Sequence, residues 1–153
     1  MRQATLPDPE RLRAANINPV TGLATDYLNH YNEVAMLIAS LGDMPEMSAQ
    51  VLDWRPVGYA THFRTTGFRD GDLAVAAFDA VPGPVMTRFF AARRELELAI
   101  INVQDMLETT PQAASRLAAH APDIFDAIAR LGGVINGDAE TSREQASVDS
   151  LFS

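Results

Sequence analysis

An imidazole and a carboxylate three residues apart, His30 and Glu33, are the strongest candidates for acid–base or metal chemistry in this sequence. At that separation both side chains lie on one face of a helix. His62 and a carboxylate such as Glu97 could face them from other helices, as Glu and His do in the metal centres of helical bundles. However, the order His-x-x-Glu is the reverse of the usual di-iron Glu-x-x-His, and it occurs once. We therefore expect structural roles here, with a metal-dependent or acid–base enzyme using His30, Glu33 and His62 as an alternative.

A second group of residues alternates aromatic rings with arginines between positions 54 and 69. Such a group can stack on single-stranded nucleic acid or anchor a protein partner. The favoured interpretation is that the rings cap one end of a helical bundle while the arginines pair with nearby aspartates. Two alternatives remain: a protein-binding face, or a small-molecule sensor with a pocket between these rings and the longest helix. The residues of this second candidate face are Trp54, Tyr59, Phe63, Arg64 and Phe68.

Composition excludes several classes of function. The formal net charge is −8, from 20 acidic and 12 basic residues, which disfavours nucleic acid and anionic membranes as partners. Without cysteine the chain forms no disulfide, thiolate metal site or cysteine nucleophile, and without lysine it forms no Schiff base. No phosphate-binding loop or Gly-x-Ser-x-Gly elbow is present. With no signal-like or membrane-spanning stretch, we expect a cytoplasmic protein that uses no cofactor.

Hydrophobic spacing and nine prolines divide the chain into helical segments. Asp8 and Pro9 form a helix start, and another short helix is expected from Pro45 to Asp53. Residues 57–67 alternate as a strand would, but since a lone strand is not viable and no partner strand is evident, the sequence favours a helix there. An amphipathic helix is indicated by a stripe at alternating spacings of four and three: Tyr27, Tyr31, Val34, Ile38 and Leu41.

The longest predicted helix spans residues 84–108, with apolar residues at heptad spacing and a further set, Phe90, Leu98 and Ile101, that widens the stripe. A face this wide is either wrapped by shorter helices or shared in a homodimer through the long helix. Two more helices are expected after it, and the second should begin at Pro122 and end before Gly132.

These elements predict an all-α fold, a compact multi-helix bundle built around one long central helix, with flexible N- and C-terminal arms. The expected organisation is a loosely ordered N-terminal arm over 1–20, a helical domain over 21–135, and a polar linker with an amphipathic C-terminal peptide over 136–153. Tails as polar as the last segment cannot bury enough surface to offset chain entropy. Its few apolar residues are therefore expected to fold back onto the body or to dock on a partner.

If the C-terminal peptide is helical, Val148, Leu151 and Phe152 lie on one side of it, with Gln145 and Asp149 offering polar contacts. The pattern Gln-x-x-Val-Asp-x-Leu-Phe resembles the receiver-binding peptide of the chemotaxis phosphatase of response regulators and of the flagellar motor switch protein. In those families the peptide folds into a helix on a phosphorylated receiver domain. The resemblance covers nine of 153 residues and implies a receiver domain as the partner.

The resemblance does not extend to catalysis. Glu144 stands where the families usually have Ser, and the phosphatase carries an acid and a Gln one turn apart on a long helix. The nearest such pair here is Glu108 with Gln112, and Pro111 interrupts the helix between them. The sequence therefore predicts a non-catalytic adaptor or interaction protein, in two-component or chemotaxis-type signalling, whose C-terminal peptide docks on a receiver domain.

Overall fold

The computed structural model describes residues 5–137, which form eight α-helices and no strand. Short 3₁₀ turns lead into several of them. The all-α prediction is confirmed. The helices are α1 (Pro9–Ala14), α2 (Leu28–Ser40), α3 (Ser48–Asp53), α4 (Tyr59–Thr65), α5 (Gly71–Asp79), α6 (Gly83–Thr109), α7 (Ala114–Leu117) and α8 (Ala121–Asn136).

The body of the fold is a layer of three helices, in which α6 packs on α8 and α8 packs on α2. The α4–α5 pair lies beside them, and α3 is held between α2 and α6. The predicted stripe of α2 is fully buried, and α6 matches the expected long helix to within a residue at each end. Five residues of α6 enter the same core: Phe89, Leu96, Ile100, Val103 and Leu107.

Among the described residues 5–20, the N-terminal segment is packed on the body, which differs from the loosely ordered arm expected over 1–20. Asp8 caps α1 as predicted, because its carboxylate accepts the N–H of Glu10 at 3.1 Å, but the residues that follow are packed. Leu12 and Ile17 are buried in the core, and their apolar area anchors a segment too short to fold alone.

The ambiguous stretch 57–67 is helical, as predicted. It begins at Tyr59, three residues after Pro56, because Gly58 takes the extended N-cap conformation. The left-handed Gly67, with φ of +76°, follows its end. Tyr59 and Phe63, four residues apart on α4, both point into the core.

The predicted end of the last helix before Gly132 is wrong. Helix α8 continues through both glycines to Asn136 and ends at the left-handed Gly137. The residues beyond the glycines, Val134 and Ile135, are buried, so their packing outweighs the low helix propensity of glycine. Gly132 also lets α8 approach α2 closely, since a Cβ there would lie 3.2 Å from Leu28 Cδ1.

No single helix within residues 5–137 has both the length and the apolar composition to cross a membrane. The pair α5 and α6 meets that test only together, and the two are bent by 111° at their junction.

The junction of α4 and α5 yields the first testable prediction. A Cβ at Gly71 would overlap the backbone carbonyl oxygen of Phe63, so Gly71→Ala should lower the free energy of unfolding by about 1–3 kcal/mol through forced displacement of α5. Urea unfolding followed by circular dichroism measures the change.

Gly42→Ala is the matched control. Its Cβ would meet the Ala118 Cβ at 3.6 Å, an ordinary contact, and its φ is not positive. We expect its effect to stay within about 1 kcal/mol. Equal stability of the two variants would contradict the close approach of α4 and α5.

Candidate functional site

An apolar groove of about 680 Å³ lies between α2 and the segment from Met44 to Arg55. We call it the methionine groove, because Met36, Met44 and Met47 line it. Met36 is 62% exposed and Met44 is 42% exposed, so the groove presents two large apolar side chains to solvent. Unbranched, polarisable methionines adapt to ligands of different shape, which makes this surface suited to binding.

The floor of the methionine groove is fixed by hydrogen bonds and ring stacking. The Trp54 indole donates to the carbonyl of His30 at 3.0 Å, and the Trp54 ring stacks on the His30 imidazole with centroids 4.8 Å apart. The Arg55 guanidinium donates to the carbonyls of Leu52 and Trp54 at 2.6 and 2.8 Å. A fixed floor lowers the entropy lost when something binds against it.

His30 and Glu33 also line a second, more polar cleft of about 410 Å³, together with Asp26, Asn29 and His62. The structure thus brings the three sequence-predicted residues His30, Glu33 and His62 to one cleft. Glu97 does not join them, because its carboxylate accepts the hydroxyl of Tyr31 at 2.5 Å.

Both imidazoles of this cleft already use one nitrogen for structural hydrogen bonds. His30 Nε2 donates to the carbonyl of Arg55 at 2.5 Å, and His62 Nε2 donates to the Asp26 carboxylate at 3.0 Å. Because a carbonyl or carboxylate oxygen only accepts a hydrogen bond, Nε2 carries the hydrogen in both rings. In the part of the chain that the structure describes, no three His, Asp or Glu residues are placed to hold a metal ion together.

The aromatic residues predicted as a second interaction face do not form one exposed surface. Tyr59, Phe63 and Trp54 are buried, whereas Arg64 is exposed. Phe68 packs its ring edge-on against Phe63 with centroids 4.8 Å apart. Burial of Tyr59 and Phe63 holds the short helix α4 against the core. The spacing of four between Tyr59 and Phe63 was itself a core signal.

Three buried tyrosines, Tyr27, Tyr31 and Tyr59, form a hydroxyl cluster at the centre of the fold. The Tyr31 hydroxyl donates to Glu97 and lies 3.0 Å from the Tyr27 hydroxyl, and Tyr27 reaches the carbonyl of Val57 at 2.7 Å. The Tyr59 oxygen accepts the N–H of Ala24 at 2.8 Å. These polar contacts therefore join α2 to α6, and they join α4 and the residue Val57 before it to the segment that leads into α2.

The predicted partner-binding residues lie outside the described residues 5–137: Gln145, Val148, Asp149, Leu151 and Phe152.

The methionine groove was not predicted from the sequence. The signal available for it was three methionines within twelve residues, on both sides of the turn at Gly42.

Comparison of the chain with models of protein families, with curated proteins and with solved structures finds no match in any of the three.

The hydroxyl cluster predicts how stability depends on pH. Burial raises the pKa of Tyr27 and of Tyr59, and burial together with the hydrogen bond to Glu97 raises the pKa of Tyr31. A pKa raised on folding contributes stability that is complete below the unfolded value of about 10 and is lost as pH rises above it. Stability should fall there by up to about 1.4 kcal/mol per pH unit for each tyrosine.

The measurement is an alkaline titration of tyrosinate absorbance alongside circular dichroism. The chain contains only three tyrosines, all in this cluster, so absorbance should appear in one step together with loss of helix. Gradual ionisation near pH 10 with helix content unchanged would contradict the burial of these hydroxyls.

Proposed function

We propose that this protein is a non-catalytic helical interaction protein whose C-terminal peptide, residues 144–152, docks on a response-regulator receiver domain. The observation that supports a non-catalytic role is the commitment of the candidate catalytic groups to the fold. His30, His62 and Glu97 each hold a structural hydrogen bond, to Arg55, Asp26 and Tyr31 respectively. The His30 and Glu97 bonds hold α2 to Arg55 and to α6, and the His62 bond holds α4 to the turn before α2. Using any of these atoms in catalysis would first require breaking such a contact.

The place where α8 ends supports a docking role for the residues that follow. Asn136 is exposed, and Gly137 turns the chain in the left-handed conformation at the end of the helix. The described chain therefore ends at the surface of the body. The next residues in the sequence are Asp, Ala, Glu, Thr and Ser, a composition typical of linkers.

The proposed mechanism is folding of the peptide on its partner. As a helix, the peptide presents Val148, Leu151 and Phe152 to a groove, and part of their burial energy offsets the entropy lost on ordering. Binding of this kind is weak for its area and easily reversed. Tethering to the body raises the local concentration of the peptide near anything that the body engages.

The test compares binding of phosphorylated receiver domains to the full chain, to a chain ending at Gly137, and to Leu151→Asp. Burying a leucine contributes about 1.5–3 kcal/mol, so Leu151→Asp should weaken binding by at least about tenfold. The chain ending at Gly137 should lose binding. Isothermal titration calorimetry measures all three.

Ser150→Asp is the matched control, because it adds the same charge one residue away and off the apolar side of the proposed helix. Its affinity should stay close to that of the unchanged chain. Equal affinity of the full and shortened chains, or binding by neither, would refute the proposed docking role.

The methionine groove favours a second candidate function, a small-molecule sensor. Its volume of about 680 Å³ falls within the range of about 300–1,000 Å³ typical of ligand pockets, and Trp54 gives it a flat apolar floor. Of the aromatic residues in the predicted second face, only Trp54 lines the groove, which lies between α2 and α3 rather than against α6.

An apolar fluorescent dye, anilinonaphthalene sulfonate, tests this candidate on the native protein. We expect its fluorescence to rise on binding and the emission of Trp54, the single tryptophan, to fall. The double variant Met36→Gln with Met44→Gln should abolish both changes, because it removes the exposed apolar lining of the groove.

Val20→Gln is the control, since Val20 is 73% exposed and does not line the groove. It should leave both signals intact. If the methionine variant binds the dye as well as the control does, the groove is not the binding site.

A further inference from the structure

Helix α6 carries a stripe of exposed residues that its own chain leaves uncovered among residues 5–137. Phe90, Leu98 and Ile101 are 42%, 53% and 40% exposed, and the charged residues Arg94 and Asp105 are exposed between and beyond them. Successive members are three or four residues apart, so all five share one face of the helix. We call this face the α6 stripe. Three large apolar side chains in one line are more than the scattered exposure usual on a surface.

The other sides of α6 are already occupied. Gln104 donates to the carbonyls of Val51 and Trp54 at 2.9 and 3.0 Å, which places α3 on one side. Glu95 accepts the Arg130 guanidinium of α8 at 2.7 Å on the other side. The α6 stripe is therefore the side of this helix that faces away from both neighbours.

The charges of α6 are segregated along its length. The basic residues Arg88, Arg93 and Arg94 all precede the acidic ones. The acidic residues are Glu95, Glu97, Asp105 and Glu108. Glu95 and Glu97 are already paired with Arg130 and Tyr31, so the exposed charges available to a partner are Arg94 in the first half and Asp105 and Glu108 in the second. Two copies of α6 laid antiparallel would place basic halves beside acidic halves, whereas parallel copies would place like charges together. Antiparallel packing also opposes the helix dipoles favourably.

We propose that a second copy of this chain packs antiparallel on the α6 stripe, with Leu98 against Ile101 of the other copy and Arg94 paired with its Asp105. Both pairs have the same midpoint, between Ala99 and Ile100, so one two-fold axis satisfies them together. By symmetry each pair forms twice. This register follows from the self-complementarity of the stripe and does not depend on what the C-terminal peptide binds.

The proposed dimer is weak and reversible. A single helix face offers less than the roughly 800 Å² per partner of a standard interface, so association should appear at about micromolar concentrations or above. Sedimentation of the full chain over a range of concentrations should show a monomer–dimer equilibrium. Leu98→Asp should abolish it, with helix content and melting temperature unchanged because Leu98 is exposed.

Charge reversal tests the register. Arg94→Glu should weaken the dimer about tenfold, because it replaces two attractions per dimer with two repulsions, and the double variant Arg94→Glu with Asp105→Arg should restore it. Arg11→Glu makes the same change of charge on the exposed side of α1 and should leave association unaffected. A monomer at all concentrations, or failure of the double variant to restore the dimer, would overturn the proposal.

Cross-linking distinguishes the antiparallel arrangement from a parallel one. The chain has no cysteine of its own, so an introduced thiol has no competitor. A mixture of Arg94→Cys and Asp105→Cys chains should form a disulfide-linked pair, whereas each chain alone should not. In the antiparallel register, two copies of position 94 lie about 16 Å apart along the helix axis, beyond the reach of a disulfide. Cross-linking of Arg94→Cys alone would indicate parallel packing and overturn the proposal.

Discussion

The fold depends on placing three phenol hydroxyls in an apolar core without leaving any of them unpaired. Each hydroxyl finds a partner distant in the sequence: Tyr27 the carbonyl of Val57, Tyr31 the carboxylate of Glu97 on α6, and Tyr59 the N–H of Ala24. A buried polar group without a partner costs about 1–3 kcal/mol, so these contacts select one arrangement of α2, α4 and α6. Apolar packing alone would tolerate several.

Much of the helical framework could be predicted because it rests on periodicity. The stripe of α2 and the length of α6 follow from apolar spacing, which a helix must bury on one side. The end of α8 and the packing of the N-terminal segment could not be predicted in this way. Gly132 looks like a helix terminator in isolation, and only its approach to Leu28 shows that a small residue is required within the helix.

The candidate site could be predicted in part. The sequence brought His30, Glu33 and His62 together, and the structure places them on one cleft. The sequence could not show the hydrogen-bond partners of these side chains. The partner of His30, for example, is the backbone carbonyl of Arg55, which any residue at that position would supply. The methionine groove escaped notice since Met36 falls outside the buried stripe of α2, where an apolar residue carries no periodic signal.

The end of α8 is completed by a segment more than a hundred residues earlier in the chain. Asn18 donates its amide to the carbonyl of Asn136 at 3.2 Å, and the Thr21 hydroxyl donates to that of Ile135 at 2.6 Å. No N–H within α8 donates to these two carbonyls, because they lie in its last turn. The hydrogen bonds from Asn18 and Thr21 therefore keep that turn from fraying. The position of the last described turn, at Ile135 to Gly137, is consequently set by the opposite end of the sequence.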